Sequence, residues 1–200
     1  MANDSSTGGY LTATAGLPPD DLDLDELFQD AVRQISGLAG QYVRPRWQPK
    51  APKRPPPEVN WCSIGVTRSD PDAGPYIEHE NTTLVTDPSA DTVMRHEELR
   101  VLASFYGPNA KGYADLVRNG FSVPQNTEAL SAEMIRFVAA GEQVYTSETI
   151  NQQQIRRVDQ VMRFRRKVEP TYTTQNLQAA EVDVFNDTNT VNRIATATQP

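Results

Sequence analysis

The side chains that could carry chemistry are few: two histidines, one cysteine and a pair of closely spaced aspartates. His96 lies in the run His-Glu-Glu-Leu-Arg, which lacks the second histidine of a zinc-protease helix. His79 stands between two glutamates, a setting typical of a solvated strand residue or of a pH-sensitive ion pair. Asp70 and Asp72 are spaced like early calcium ligands, but the later ligands of such a loop are missing. These patterns predict no metal site.

Cys62, the single cysteine, excludes an internal disulfide framework and a zinc site built from several cysteines. Its neighbours Trp61 and Ile64 favour a buried structural thiol, and a nucleophile paired with a distant histidine is the alternative. The sequence contains no phosphate-binding loop, no Gly-x-Ser-x-Gly elbow and no dinucleotide-binding glycine run. We therefore expect no catalytic residue and no cofactor, and a small cytosolic enzyme is the most distant alternative.

The composition fits one domain with some chain to spare. Of the 200 residues, 38% are hydrophobic, which is low for a globular protein. The longest apolar runs are only a few residues, as in 137–140, so no segment is long enough to cross a bilayer. The N-terminus lacks the basic and apolar stretches of a secretory signal. These features predict a protein that stays in the compartment where it is made.

The charges are segregated along the chain. The formal net charge of -7 argues against a protein whose task is to hold nucleic acid. Residues 1–40 carry seven acids and one base, whereas residues 41–58 carry five bases and one acid. Residues 154–168 carry six bases and one acid. Such blocks indicate either ordinary solvated faces or complementary patches for self-association and docking.

The first half of the chain predicts an arm, a helix and a proline-rich strap. Residues 1–20 contain little that could be buried and are interpreted as an N-terminal arm. An apolar stripe at three- and four-residue steps predicts a helix over 22–39. The prolines of 44–57 exclude a helix and favour an extended strap, which is either a spacer or a segment laid across a neighbouring surface. Trp47, in the middle of the strap, favours the second interpretation because a tryptophan is normally buried.

Alternating patterns predict most of the remaining elements. Strands are expected at 59–67, 76–86, 92–106, 143–149 and 154–168, and helices at about 109–119 and from Asn126 or Thr127 to Ala140. A helix is the competing interpretation of 154–168. Because 92–106 is longer than a usual strand, we expect that 92–106 or 154–168 pairs with another chain. The core is therefore predicted at 21–170, followed by a C-terminal extension over 171–200 that is poor in apolar residues.

Three groups of segments together resemble the neck terminator proteins of tailed phages, over roughly 40–175. The first is Tyr42 to Pro49 with the prolines 55–57 and Asn60-Trp61-Cys62. The second is Arg95 to Leu99 with Ser104 to Ala110 and Gly112-Tyr113. The third is Arg156 to Asp159 with Arg163 to Arg166 and Tyr172. None of these motifs has a known chemical role, so they point to a family without an active site.

The resemblance implies an α/β (α+β) subunit with a mixed or mainly antiparallel sheet flanked by helices and with extended terminal arms. It implies a hexameric ring in the virion that caps the head-proximal end of the tail tube and ends tube growth. The implied partners are copies of itself, the tail tube protein, the head–tail connector or collar and, in a contractile tail, the sheath. DNA would pass through the bore without specific binding.

Another connector or collar component, or a tail tube or sheath-end protein, is the alternative within the virion. In every case assembly would take place in the host cytoplasm. The residues expected at interfaces are basic or apolar, namely Trp47, Arg156, Arg157, Arg163, Arg165, Leu177, Val182, Val184 and Phe185.

Overall fold

The computed structural model describes residues 9–16, 21–48, 50, 52–80, 89–150, 152–174, 179–185 and 191–198, the last two ranges by their backbone alone. The described chain divides into two compact units. The larger unit comprises residues 18–75 and 94–168, and the smaller one comprises 1–17, 76–93 and 169–200.

Three α-helices and nine β-strands are found among the described residues. The helices are α1 (Asp21–Ser36), α2 (Ala110–Gly120) and α3 (Glu128–Ala132), with short 3-10 turns at Gly40–Tyr42 and Pro124–Thr127. The strands are β1 (Val43–Pro45), β2 (Trp61–Pro71), β3 (Tyr76–Glu80), β4 (Ser89–Tyr106), β5 (Ile135–Ile150), β6 (Gln153–Val168), β7 (Thr171–Thr174), β8 (Ala179–Phe185) and β9 (Val191–Thr198).

The larger unit is built on a mixed sheet with the strand order β1-β2-β4-β6-β5. β1 runs parallel to β2, and the other neighbours are antiparallel. This arrangement confirms the predicted α+β class with a mixed sheet and helices. The competing helix interpretation of 154–168 is wrong, because this segment forms β6 and pairs on both sides.

The two longest predicted strands are interior strands, so one sequence-based expectation is wrong. From residue 95 onward, β4 pairs with β6, and over 97–106 it pairs with β2 on its other side. β6 is likewise held between β4 and β5. Strand length alone suggested that these segments pair with another chain, but their own neighbours already use both edges. The edges of this sheet are instead β5 and the side that carries β1.

One face of this sheet packs against the helices and forms the core. Strand alternation brings Leu99, Val101, Ala103 and Phe105 of β4 to this face, all at most 1% exposed. At its centre Phe164 of β6 contacts three other phenylalanine rings, with centroid distances of 4.8 Å to Phe28, 5.3 Å to Phe121 and 5.5 Å to Phe137. The stripe of α1 predicted from the sequence is buried here, with Phe28 and Val32 fully enclosed.

α1 ends earlier than the predicted position 39. Gly37 has a φ of +71°, in the left-handed region that glycine adopts without strain, and its N–H donates to the carbonyl of Arg33 at 3.0 Å. The helix therefore stops at Ser36. The predicted helix over 109–119 is confirmed as α2.

The predicted helix from residue 126 to Ala140 is confirmed only over Glu128–Ala132 and is wrong beyond it. α3 stops at Ala132, Met134 has a φ of +56°, and the chain continues as β5 from Ile135. The strand is favoured because it buries Ile135 completely and packs Phe137 against Phe164. The apolar stripe of a helix would have included Met134 and Val138, which are exposed. Local helix propensity is weak compared with such packing. The predicted strand at 143–149 is part of the same β5.

The smaller unit is formed around the first residues of β4. Ser89 to Thr92 pair with β7, and β3 also pairs with β4. Thr14 and Ala15 make backbone hydrogen bonds to Thr171 within this unit. β8 and β9 pair with each other as an antiparallel hairpin. The predicted strand 76–86 is described over 76–80, and residues 81–88 lie outside the described residues.

Candidate functional site

A cluster of aromatic and arginine side chains lies where β2 begins and β4 ends. Trp61 and Tyr106 are register partners, and their rings stack with centroids 4.1 Å apart and an interplanar angle of 7°. The Arg54 guanidinium lies 4.7 Å from the centroid of Tyr106 and 5.3 Å from that of Trp61. Arg157, on β6, lies 5.7 Å from the Tyr106 ring. We call Arg54, Trp61, Tyr106, Arg157 and Glu148 the arginine–aromatic cluster.

Arg54 and Glu148 fasten the strap to the end of the sheet. Two nitrogens of Arg54 donate to the two carboxylate oxygens of Glu148 at 3.1 and 2.8 Å. This hydrogen bonding raises the pKa of Arg54 and lowers the pKa of Glu148. Burial raises the pKa of Tyr106 between these charges. The cluster keeps both arginines charged and neutralised by carboxylates, so it acts as a fastener and holds no reactive group.

The strap is also tied to itself and to β2. Arg44 donates to the carbonyls of Gln41 and Lys53 at 3.0 and 2.9 Å, which closes the strap into a loop. The indole N–H of Trp47 donates to the carbonyl of Val66 at 3.2 Å, but 60% of the residue is exposed. Among the described residues, Trp47 is therefore not buried as the sequence suggested. Its exposed ring leaves the strap with an aromatic contact surface.

The predicted interface arginines are not gathered at one place. Arg157 belongs to the cluster and donates to Asp159 at 2.8 Å, a bond that raises its pKa. Arg163 lies 3.8 Å from Glu98, and Arg165 pairs with Asp72, both on the sheet face opposite the core. Arg156 is exposed at the start of β6. Of the four predicted interface arginines, only Arg157 therefore belongs to the arginine–aromatic cluster.

The structure says less about the anchor residues predicted near the C-terminus. Val182, Val184 and Phe185 lie in β8, where the description covers the backbone alone, and Leu177 lies outside the described residues. The backbone of β8 pairs with β9. Their role as anchors remains a prediction.

The residues that first suggested chemistry serve the fold. Cys62 is completely buried, and burial raises the pKa of its thiol, so the predicted structural thiol is confirmed. His79 is an exposed residue of β3, as the solvated-strand interpretation expected, and its ring also contacts the Asp91 carboxylate. Asp70 and Asp72 pair with Arg68 and Arg165. Among the described residues, no group of three or more histidines, cysteines or carboxylates is arranged to hold a metal ion.

A buried ion pair lies on the core face near the other end of β4. Arg166 donates to Glu97 at 2.8 Å, and the two side chains are only 10% and 12% exposed. Arg95 and Ser69 also donate to Glu97, at 3.0 and 3.3 Å. Burial alone would raise the pKa of Glu97, but the hydrogen bond and charge of Arg166 lower it below its usual value. The pair ties β4 to β6 and has no access to a substrate.

The two edges of the five-stranded sheet differ. On the β1 side, the N–H of Val66 donates to the Asp25 carboxylate at 3.3 Å, and its carbonyl accepts the Trp47 indole. On the other side, β5 pairs with β6 alone among the described residues. Four large apolar side chains lie exposed along this open edge and the turn before it, at 49–57%: Met134, Val138, Val144 and Tyr145.

Sequence reasoning missed the partners of the cluster and the open edge. Arg54 and Glu148 are 94 residues apart, and no local pattern indicates that they meet. Val144 and Tyr145 were assigned to a strand, but the strand order that leaves them at an edge is a tertiary property. The run of prolines before Trp61 was the one available signal for the strap.

The comparison with known families decides the identity of the chain. A family model described as phage neck terminator protein matches residues 22–192. The chain belongs to this family. No curated protein sequence matches it significantly. This neck terminator family member is accordingly a structural component of the phage neck, and among its described residues no helix is long and apolar enough to span a membrane.

Proposed function

We propose that this protein forms a ring, most simply a hexamer, which caps the head-proximal end of the tail tube. The ring ends tube polymerisation, joins the tail to the head connector or collar and lets DNA pass through its bore. In a contractile tail it also contacts the last sheath ring. It works without catalysis or cofactor, and it assembles in the host cytoplasm.

The observation that carries this proposal is the family match over 22–192. The structure adds a physical reason to expect self-association. A rigid sheet ends in an exposed 16-residue edge strand, and open strand edges are sites where another chain is commonly added. The arginine–aromatic cluster and the Glu97–Arg166 pair engage charged side chains with one another, which is typical of structural contacts.

The charge pairing supports a bore that does not hold DNA. A channel lined by free arginines would bind phosphates strongly and in a salt-dependent manner. Here Arg157, Arg163 and Arg165 each face a carboxylate of the same chain. We therefore propose a neutral or acidic lumen. Glutamate substitutions at these arginines should leave the rate of DNA ejection nearly unchanged, and a rate that rises steeply would count against a lumen of this kind.

The test of the function is a phage in which the gene carries an early stop codon. Electron microscopy of its lysate should show filled heads that lack tails and tails of irregular length. A plasmid copy of the wild-type gene should restore joined particles with uniform tails. If the mutant lysate contains joined particles with tails of normal length, the capping and joining roles are both excluded.

The C-terminal segment provides a second, narrower test of the same proposal. We propose that both termini act as assembly arms, with Leu177, Val182, Val184 and Phe185 as anchors. Deletion of 176–200 should leave the unit formed by residues 18–75 and 94–168 folded by circular dichroism, but should abolish head–tail joining in complementation. Infectious particles from the truncated gene would refute the arm proposal and leave the ring proposal intact.

A further inference from the structure

The regular part of β5 forms a strand edge that is suited to pairing with another strand. After its bulges, residues Gln143 to Ile150 pair with β6 without a register shift. Natural edge strands are often protected by proline or by charged side chains, especially lysine; β5 contains no proline or lysine, and its charged residues are Arg136, Glu142 and Glu148. Bulges, another protective device, are confined to 137–143. Apart from Glu148, whose side chain is engaged by Arg54 of the strap, the stretch 143–150 is therefore available to a partner strand.

The exposed side chains of this stretch are held in place. Tyr145 is 57% exposed, and its hydroxyl donates to Gln143 at 2.9 Å. Gln143 in turn donates to Asp115 of α2 at 2.9 Å. Val144, 49% exposed, lies on the opposite face of β5. A fixed, exposed aromatic side chain such as Tyr145 is typical of a binding anchor, because little conformational entropy is lost on contact.

The opposite edge of the same sheet offers a matching surface. Trp47 is exposed beside β2, and its orientation is fixed by the bond to Val66. Beyond the bulge at Thr67, Arg68 to Asp70 pair with β4 alone among the described residues, which leaves a short open stretch of backbone. Lys50 and Lys53 are exposed on the neighbouring strap. Exposed carboxylates, Glu133 and Glu142, lie near and within β5. The two edges are thus complementary in charge, and each carries an exposed aromatic anchor.

We propose that β5 of one copy docks against the Trp47 edge of the next copy, head to tail. This inference rests on the proposed ring and names the surfaces that would form it. Because the two surfaces are on opposite edges, the contact is heterologous: each copy presents one half to each neighbour. Repetition of such a contact closes into a ring when the rotation per subunit allows it.

The test uses full-length protein with one edge damaged at a time. Tyr145→Asp damages the β5 edge, and Trp47→Asp damages the other edge. Each variant alone should be monomeric in native mass spectrometry and sedimentation, with the apparent dissociation constant raised at least about 30-fold. Leu116→Asp, at an equally exposed residue of α2, is the matched control and should assemble like the wild type.

The decisive measurement is the mixture of the two damaged variants. Each retains the half that the other has lost, so the mixture should form a 1:1 heterodimer and nothing larger. If Trp47→Asp dimerises by itself, the contact joins two β5 edges and the head-to-tail proposal is wrong. A mixture that stays monomeric, or a wild-type protein that never assembles, also overturns it. Should Tyr145→Asp fail to fold, Val144→Lys replaces it in every arm.

These outcomes are separable from those of the proposed function. A protein found in the neck of purified particles whose assembly is unaffected by both substitutions would retain its function and lose this interface. Heterodimer formation by a protein that is absent from the neck would do the reverse. A rescue experiment adds specificity: Lys50→Glu with Lys53→Glu should weaken assembly, and adding Glu133→Lys with Glu142→Lys should restore it.

Discussion

At the edge that carries β1, side chains occupy the outer backbone groups of Val66 in β2, whereas β5 at the opposite edge pairs with β6 alone among the described residues. Asp25 and Trp47 satisfy Val66 from two different elements, and Gly65 lies directly beneath them. A β-carbon at Gly65 would lie 3.0 Å from the β-carbon of Arg46, so the strap approaches the strand as closely as a glycine allows. Around Val66 one edge is closed by its own chain, whereas the β5 edge has no second strand among the described residues.

Under the proposed head-to-tail contact, this difference between the edges would let the sheet be stable alone and still associate. A strand edge is a hazard if both sides are open, because copies can then add without limit or register. Here the closed edge presents a shaped side-chain surface around Trp47, and the open edge presents a regular strand. In the proposed ring, this difference between the two edges would make every contact head to tail.

The largest expected effect on the free energy of unfolding comes from removing the Phe164 ring, which packs beneath the strands of the open edge. Phe164→Ala leaves a cavity among Phe28, Phe121 and Phe137 and should lower the free energy of unfolding by about 3–5 kcal/mol. Urea denaturation measures this change. Val161→Ala, on the other face of β6, is the control and should cost much less. Equal losses from the two substitutions would show that the phenylalanine cluster does not hold β5 and β6 to the helices.

Removal of the buried Asp25 carboxylate should destabilise the closed edge around Val66. Asp25 is 4% exposed, and Asp25→Ala leaves the Val66 N–H without its acceptor, which should cost about 2 kcal/mol. Hydrogen exchange at the Val66 amide should accelerate accordingly. Glu26→Ala, an exposed position of the same helix, should change stability by no more than about 0.5 kcal/mol. An unchanged exchange rate in Asp25→Ala would mean that the strap alone closes this edge.

The ion pair between Arg54 and Glu148, which holds the strap, should contribute less to the free energy of unfolding, and its contribution should depend on pH. Arg54→Met should lower stability by only about 1 kcal/mol, because both partners are about one-third exposed and solvent screens the pair. The pKa of Glu148 is lowered in the folded state, so the pair stabilises the protein above the unfolded-state pKa of the carboxyl group. This contribution should disappear as the pH falls through the lowered value. A double-mutant cycle with Glu148→Gln at pH 7 and pH 3 measures it, and a coupling that grows on acidification would contradict the assignment.

The smallest effect should be found on the open edge itself. Val144→Thr keeps a β-branched side chain at an exposed strand position and should change the stability of the monomer by less than about 0.5 kcal/mol. The measurement belongs in the Trp47→Asp background, in which we expect the chain to remain monomeric. A large loss there would mean that Val144 supports the fold and is not kept exposed for a partner.

Local patterns explain why several elements could be predicted. The three- and four-residue spacing in α1 and the alternation in β4 record which side chains face the core, because burial of one face is what stabilises each element. The segment from 126 to 140 shows the limit. Its apolar spacing fits a helix, but Phe137 gains more by packing on Phe164, a residue that lies beyond the reach of any local window.

The sequence by itself determined the class of the fold, the absence of recognisable catalytic motifs, the buried thiol of Cys62 and the family, because these depend on composition, periodicity and short motifs. Only the tertiary structure decided that 92–106 and 154–168 are interior strands, that β5 is an open edge, and that Arg54 meets Glu148. The physical reason is that strand order and long-range ion pairs arise from contacts between distant segments. A strand carries its own inward and outward alternation, but the identity of its neighbours is set by the packing of the whole sheet.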